Sequence, residues 1–376
     1  MTPPGQAPCT VEDYAERAEA LLPRQVWDFL AGGSGAELTL AANREALRRT
    51  YLTPRVLRDV SGCGTATTLL GRPAAMPVAV APVAFQRLFH EDGERATAQA
   101  AKEHGVPFVV STMSSVTVEE VVAAGGSVWF QVYWLRDRAR TFDMVRRAED
   151  AGCEAVMVTV DMPWMGRRPR DLRNGFSLPA EVRAVNLVAD GQRGLAGQPP
   201  AVGSSALAAH SEQAFSRTLG WEDVRALRAR TRLPLVLKGI LAPEDARRAA
   251  ELGVDAVVVS NHGGRQLDGA VPSIDALAGV GQAVAGACEV LLDGGVRSGT
   301  DVLKALACGA TGVLVGRPAM WGLAVGGAGG VREVLDLLAV EFRDALGLAG
   351  CGTPEEARAL EVLRSPAAGC DRCAAR

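Results

Sequence analysis

From Pro77 onward, short apolar runs rich in Val, Leu, Ile and Ala alternate with longer stretches in which apolar residues recur every three or four positions. Unbroken apolar runs of strand length read as strands buried on both faces, and the longer periodic stretches read as amphipathic helices. The strands predicted this way are Pro77–Ala81, Pro107–Ser111, Val128–Trp134, Ala155–Asp161, Pro234–Lys238, Ala256–Ser260, Glu289–Asp293 and Gly312–Val315. The helices predicted to follow them are Gly93–His104, Val118–Ala124, Arg138–Ala151, Trp221–Thr231, Pro243–Leu252, Ile274–Ala285, Thr300–Ala307 and Val331–Ala345. Such a series implies an α/β fold with a parallel sheet covered on both sides. Eight units in a row favour closure into a (β/α)8, or TIM, barrel over an open sheet.

Three further helices are predicted ahead of the barrel, at Val11–Leu22, Arg24–Ala31 and Ala36–Arg49. Pro23 opens the second and Gly32-Gly33 closes it, as helix punctuation requires. Pro54–Gly71 reads as short strands and turns. The chain therefore divides into an N-terminal helical extension (1–60), a barrel (61–350) and a C-terminal tail (351–376). One loop interrupts the alternation, at about 162–216 after the fourth strand. Its first part, Met162–Asn174, is rich in Arg, and its second, roughly 185–210, is rich in Gly, Ala, Ser and Gln. A long aperiodic loop in a compact domain is a lid or disordered. On the face where barrels keep their chemistry, a lid is expected.

Composition narrows the function class. A net charge of −3 gives no electrostatic case for nucleic acid or an anionic membrane. No run approaches the length needed to span a bilayer, and no basic-then-apolar leader opens the chain. The eight Cys are scattered, three of them (Cys153, Cys288, Cys308) within apolar segments. That pattern suits reduced thiols in a cytoplasmic protein. The lone Cys370-x-x-Cys373 has no second pair or His beside it, so no metal site is expected. Lys occurs only at 102, 238 and 304, which makes a Lys inside an apolar run conspicuous.

If the barrel is right, function should collect at the C-terminal strand ends. The residues there are Pro82-Val83-Ala84, Ser111-Thr112-Met113, Gln131 with Tyr133, Thr159 with Asp161, Lys238, Ser260 with His262 and Arg265, Asp293-Gly294-Gly295-Val296-Arg297, and Gly316-Arg317. The loops after strands seven and eight are the usual phosphate site of a barrel. Glycines there let backbone N–H groups approach an anion, and Arg297 and Arg317 can pair with it. Lys238 can form a Schiff base or stabilise an anion on a cofactor. Of four histidines (90, 104, 210 and 262), only His262 follows a buried strand between polar and Gly residues. It is the candidate base near neutral pH. Asp161 can hold its second nitrogen, Arg265 and Arg168 can clamp a carboxylate, and Tyr133 can hydrogen-bond a substrate oxygen.

This set suits removal of two electrons and a proton from the carbon beside a carboxylate. No G-x-G-x-x-G opens a βαβ unit, which argues against a Rossmann-bound NAD. Flavin mononucleotide, with its single phosphate, fits a barrel better.

The segments Ser260-Asn-His-Gly-Gly-Arg-Gln-Leu-Asp268, Leu237-Lys-Gly239 and Asp293-Gly-Gly-Val-Arg-x-Gly-Thr-Asp-Val-x-Lys-Ala305 resemble the FMN-dependent 2-hydroxy-acid oxidase and dehydrogenase family. The resemblance runs from the helix at Leu22-Pro23 to Gly350. It implies His262 as catalytic base and Asp161 as its partner. It implies Arg265, Arg168 and Tyr133 at the substrate, and Lys238 beside the flavin N1 and O2. Pro82, Val83, Ala84, Ser111, Gln131, Thr159 and Ser260 match positions along the isoalloxazine and ribityl chain. Asp293 matches a ribityl contact, and Gly294, Gly295, Arg297, Gly316 and Arg317 the phosphate end. The family also implies a homo-tetramer.

Two departures bear on the substrate. Where glycolate oxidase has a second substrate-contacting Tyr, this chain has Phe29; where it has a Trp, this chain has Met113. Both make a softer, more apolar wall and suggest an aromatic 2-hydroxy acid. The stretches Ala81–His90, Phe130–Asp137 and Val160–Arg168 look most like the branch that oxidises 4-hydroxymandelate to 4-hydroxyphenylglyoxylate for the arylglycines of peptide antibiotics, with O2 as acceptor. The alternatives are another 2-hydroxy acid (mandelate, lactate, glycolate), a quinone or carrier acceptor, or a phosphate-binding barrel without redox chemistry.

Overall fold

Eight parallel strands close into a barrel: β4 (Val78–Val80), β5 (Phe108–Ser111), β6 (Val128–Val132), β7 (Ala155–Thr159), β8 (Leu235–Ile240), β9 (Ala256–Val259), β10 (Glu289–Leu292) and β11 (Gly312–Val315). β11 pairs with β4 to complete the ring, with Val313 opposite Val78. The computed structural model describes residues 7–187 and 214–365. His210, the second part of the long loop beyond Leu187, and the Cys370-x-x-Cys373 pair lie outside the described residues.

Alternate side chains of each strand serve two separate cores, as the two-residue strand period requires. Ala79, Val109, Trp129, Met157, Val236, Val258, Leu291 and Leu314 fill the barrel interior. Their neighbours, including Val78, Val110, Phe130, Val158, Leu237, Val259 and Val315, pack outward against the helices. That double burial is why the strands read as unbroken apolar runs. A hairpin of β2 (Thr67–Leu69) and β3 (Arg72–Ala74) contributes Leu69 and Ala74 to the interior core.

The helices α1 (Val11–Leu21), α2 (Arg24–Ala31) and α3 (Leu38–Arg48) match the predicted ones within two residues. A capping box fixes the start of α1: Thr10 and Asp13 each bond the other's backbone N–H. The N-terminus of α3 is capped from outside, by Asp268 accepting from the N–H groups of Ala36 (2.8 Å) and Thr39 (2.9 Å). Segment 260–269 and the extension are thus one unit.

Two features differ from the sequence reading. The last helix begins at Arg317, not Val331, and runs to Leu348 with a kink at Gly326-Gly327. The glycines there hid the first half by masking its periodicity. Within 351–376, Glu361–Arg364 forms β12, which pairs antiparallel with β1 (Thr50–Thr53). No helix among the described residues is long and apolar enough to cross a membrane.

Candidate active site

A cavity opens at the C-terminal ends of the barrel strands. Most of the residues singled out from the sequence meet there: Pro82, Val83, Ala84, Ser111, Met113, Tyr133, Thr159, Arg168, Lys238, His262, Arg265, Asp293, Gly294, Gly295, Arg297, Gly316 and Arg317, with Phe29 from α2. Three others stand one layer behind it. Asp161 lies behind His262, and Ser260 between His262 and Lys238. Gln131 lies below the wall. Its amide donates to Thr159 Oγ1 (2.9 Å), and its carbonyl accepts from Ser111 Oγ (3.1 Å) and the Thr112 N–H (3.2 Å). It fixes three strand ends without facing the cavity.

The catalytic candidates form one chain. His262 Nδ1 stands 3.0 Å from Asp161 Oδ1. The His262 N–H donates to Ser260 Oγ (3.0 Å), which also accepts from Lys238 Nζ (3.0 Å). Lys238 Nζ pairs with Asp293 Oδ2 at 2.8 Å. Burial alone would raise the Asp161 pKa, but His262 and Lys238 outweigh it and hold the carboxyl below its ordinary value. Burial works against the Lys238 cation too; Asp293 and Asp161 overcome it and raise its pKa. Asp161 therefore stays anionic and Lys238 cationic.

Local backbone geometry makes this approach possible. Gly239 sits at a β-bulge between β8 and β9 with φ of 113°, and a Cβ there would lie 2.6 Å from Asp161 Cβ. The glycine of the Lys238-Gly239 pair is thus clearance for Asp161. His262 itself has φ of 58°, uncommon for a residue with a side chain. Gly264 next to it touches α3 so closely that a Cβ would meet Leu40 Cα at 2.6 Å.

Positive charge dominates the cavity. Lys238 has Asp293, and Arg168 has Asp171 at 3.9 Å. Among the described residues, Arg265, Arg297 and Arg317 have no carboxylate within ion-pair distance. Arg265 donates to the Gly32 carbonyl (2.7 Å) and lies over the Phe29 ring at 5.3 Å. Arg317 donates to the carbonyls of Leu30, Gly32 and Gly263, each at 3.0 Å. Arg297 donates to its neighbour Val296 and lies over Trp321. Burial and mutual repulsion depress all three: Arg297 to about 9, Arg317 to about 10, and Arg265 well below its ordinary value. Half-buried guanidinium groups with no carboxylate partner call for anions from outside the chain. Among the described residues, Asp293 Oδ1 and Arg168 Nε are buried without a hydrogen-bond partner. A cofactor with a phosphate and polar chain, and a substrate with a carboxylate, fit these needs.

The sequence matches the FMN-dependent dehydrogenase family over residues 18–363. The chain belongs to this family. It is 57% identical to a 4-hydroxymandelate oxidase from Amycolatopsis orientalis, across 94% of this chain and 98% of that protein. It is 46% identical to an L-lactate oxidase from a Nostoc strain (92% and 95%) and 44% identical to human 2-hydroxyacid oxidase 1 (91% and 92%). A crystal structure of mandelate oxidase with (S)-4-hydroxymandelic acid superposes with a TM-score of 0.92 at 56% identity, over 95% of this chain and 99% of that one. The chain is thus an enzyme with FMN as cofactor and a 2-hydroxy acid as substrate.

The relatives' names point to different 2-hydroxy acids, 4-hydroxymandelate and L-lactate among them, so the remaining cavity residues matter. Met162, Met165 and Phe215 line it, and sequence reasoning did not assign them. Met162 and Met165 follow directly on Asp161, so their position was available in the motif. Phe215 comes from the far end of the long loop, where no periodicity marks it.

Proposed function

We propose that the enzyme oxidises an (S)-2-hydroxy acid with an aryl side chain, foremost 4-hydroxymandelate, to the 2-oxo acid, with O2 reduced to H2O2. The observation that carries the substrate class is the apolar wall of Phe29, Met113, Met162, Met165 and Phe215 beside His262 and Arg265. The likeness to an Amycolatopsis 4-hydroxymandelate oxidase supports the same reading.

When bound, FMN supplies the two-electron acceptor; the chain does the rest. Arg265 and Arg168 hold the substrate carboxylate. Arg168 is buried and Arg265 half-buried, so a substrate carboxylate would supply the charged partner that the little solvent there cannot. Tyr133 donates its phenol hydrogen to a substrate oxygen. Burial pushes its pKa up to about 12, so the phenol stays a donor at neutral pH. His262 faces Asp161 through Nδ1, which leaves Nε2 to take a proton from the substrate. That proton is the hydroxyl's when the α-hydrogen leaves with its electron pair, and the α-carbon's when it does not. Nε2 accepts it on either path. Asp161 stabilises the imidazolium that results. Lys238 would set a positive charge beside bound FMN, and Arg297, Gly294 and Gly295 would hold its phosphate, with Arg317 and Gly316 adjoining.

The product, an aryl 2-oxo acid, is the carbon skeleton of an arylglycine, which amination would complete. We place the enzyme in the supply of arylglycine units for peptide antibiotics, acting as a cytoplasmic homo-tetramer.

The test is an anaerobic flavin-bleaching panel over glycolate, L-lactate, (S)-mandelate and (S)-4-hydroxymandelate. The two aryl acids should bleach the flavin with the highest kcat/KM, and the same turnover in air should release H2O2. Preference for lactate or glycolate would overturn the aryl assignment. Absence of peroxide would transfer the enzyme to the carrier-linked dehydrogenases.

A further inference from the structure

Arg44 stands on α3 of the extension and supplies none of the cavity wall. Its guanidinium nevertheless holds the loop after β10 at two points. Arg44 Nη1 donates to the Gly295 carbonyl, and also to Asp301 Oδ2 at 2.8 Å. Asp301 lies in the first turn of the helix Gly299–Ala307, and the same Oδ2 accepts from the Arg297 N–H at 2.9 Å. Ser298 Oγ accepts in turn from the Asp301 N–H (3.1 Å). One guanidinium and one carboxylate thus fix the loop on both sides of Val296. The Asp301 side chain is 9% exposed, so water competes little for its charge. Glu12, at 3.6 Å from Arg44 Nη2, is more than half exposed and is the weaker partner.

These contacts set how the loop meets the cavity. In a trans peptide the C=O and N–H point to opposite sides. With the Gly295 carbonyl drawn to α3, the Val296 N–H is turned away from α3. Gly295 itself lies against that helix, where a Cβ would meet the Asn43 carbonyl oxygen at 2.9 Å. The other side of the loop is the cavity, lined by Gly294, Gly295, Val296 and Arg297. Arg297 is fixed at both ends: its N–H by Asp301, and its guanidinium over the Trp321 ring at 4.8 Å. Gly294 and Gly295, with φ of 98° and 91°, would leave an untethered loop many conformations. Successive N–H groups and a guanidinium bind an anion best when they are already aimed.

We propose that Arg44 and Asp301 are positioning residues for the FMN phosphate: they touch no cofactor atom, and they hold the loop of Gly294–Arg297 in the shape that receives it. The assignment rests on the reading of Arg297, Gly294 and Gly295 as the phosphate end. It makes α3, outside the barrel, part of the cofactor site.

The test titrates the full-length protein, freed of flavin, with FMN and with riboflavin, which lacks the phosphate; quenching of flavin fluorescence gives each Kd. Arg44→Ala should raise the Kd for FMN about 10- to 100-fold, the range of a hydrogen bond to a charged group. The Kd for riboflavin should stay within about threefold of wild type. Asp301→Asn should change the two in the same way. Arg44→Lys, which can reach only one of the two acceptors, should fall between wild type and Arg44→Ala. Because the two residues form one network, the double variant should bind FMN within about threefold of the weaker single variant. Equal losses for FMN and riboflavin, or an unchanged Kd for FMN, overturn the assignment and leave the pair a general brace of the fold. Should Asp301→Asn fail to fold, the two Arg44 variants decide, since that side chain is a quarter exposed. Arg297→Ala checks the underlying reading: if it leaves the ratio of the two Kd values as in wild type, the phosphate assignment falls first and takes this one with it.

Discussion

Asn43 and Asn261 exchange a reciprocal pair of amide hydrogen bonds, at 2.8 Å and 2.7 Å, in the interior of the protein. Asn43 stands on α3 of the extension, and Asn261 precedes His262. Asn261 Oδ1 also accepts from the Gly264 N–H (3.1 Å), and its amide donates to Val271 O (3.1 Å). The pair therefore holds the turn in which His262 takes its left-handed backbone. Asn43→Ala leaves buried donors and acceptors without partners, at a cost of about 1–3 kcal/mol. Urea unfolding should show that loss. The double variant Asn43→Ala/Asn261→Ala should be less destabilised than the sum of the two single variants.

His262→Ala should retain FMN and slow its reduction by substrate about 100- to 10,000-fold, the range of a missing general base. Asp161→Asn removes a charged hydrogen-bond partner worth about 1.5–3 kcal/mol, or about 10- to 100-fold in the same rate. Stopped-flow reduction under nitrogen reads both. Wild-type rates in His262→Ala would refute the proposed base.

Arg265→Lys keeps the charge but loses the planar fork that reaches Gly32 and a carboxylate together. KM for the acid substrate should rise about 10- to 100-fold, while the FMN content of the purified protein stays as in wild type. Removal of FMN leaves Arg297 and its neighbours without their anion. The apoprotein should therefore be stabilised by inorganic phosphate relative to chloride at equal ionic strength, as a Tm that rises with phosphate concentration.

Tyr133 should not shape the pH profile. Its phenol is pushed up to about 12 by burial, and the negative charge of Asp161 adds to the shift. The sign is that of an acid whose ionised form is disfavoured, so it stays protonated from about pH 6 to 10. Tyr133→Phe should lower the rate of flavin reduction, yet leave the limbs of the pH–rate curve where wild type has them over that interval.

The strands and most helices were legible because each strand is buried on both faces and each helix on one. The catalytic candidates were legible because they cluster at strand ends: His262, Asp161 and Lys238 are all displaced from apolar runs by a residue or two. Three things were not. Phe215 is fixed by a bridge to Leu135, eighty positions away, and no local pattern encodes that contact. The start of the last helix at Arg317 was hidden by glycines that break its periodicity. The partners of Arg265 and Arg317 are backbone carbonyls of α2 and its cap, which have no side-chain signature at all.

The pairing of β1 with β12 has a consequence for how the enzyme is made. Thr50 of the extension leaves the ribosome long before its partner Arg364. At about 5–20 residues per second, the interval is on the order of 15–60 s. Over that time α2 and α3 also wait for Arg265, Asp268 and Arg317, which are their anchors on the barrel. The first-made helices thus dock only after the barrel residues that anchor them have been made. The carbonyls that steady the cavity's arginines are in place only once the barrel beneath them is complete, so a partly synthesised chain presents no finished site to flavin.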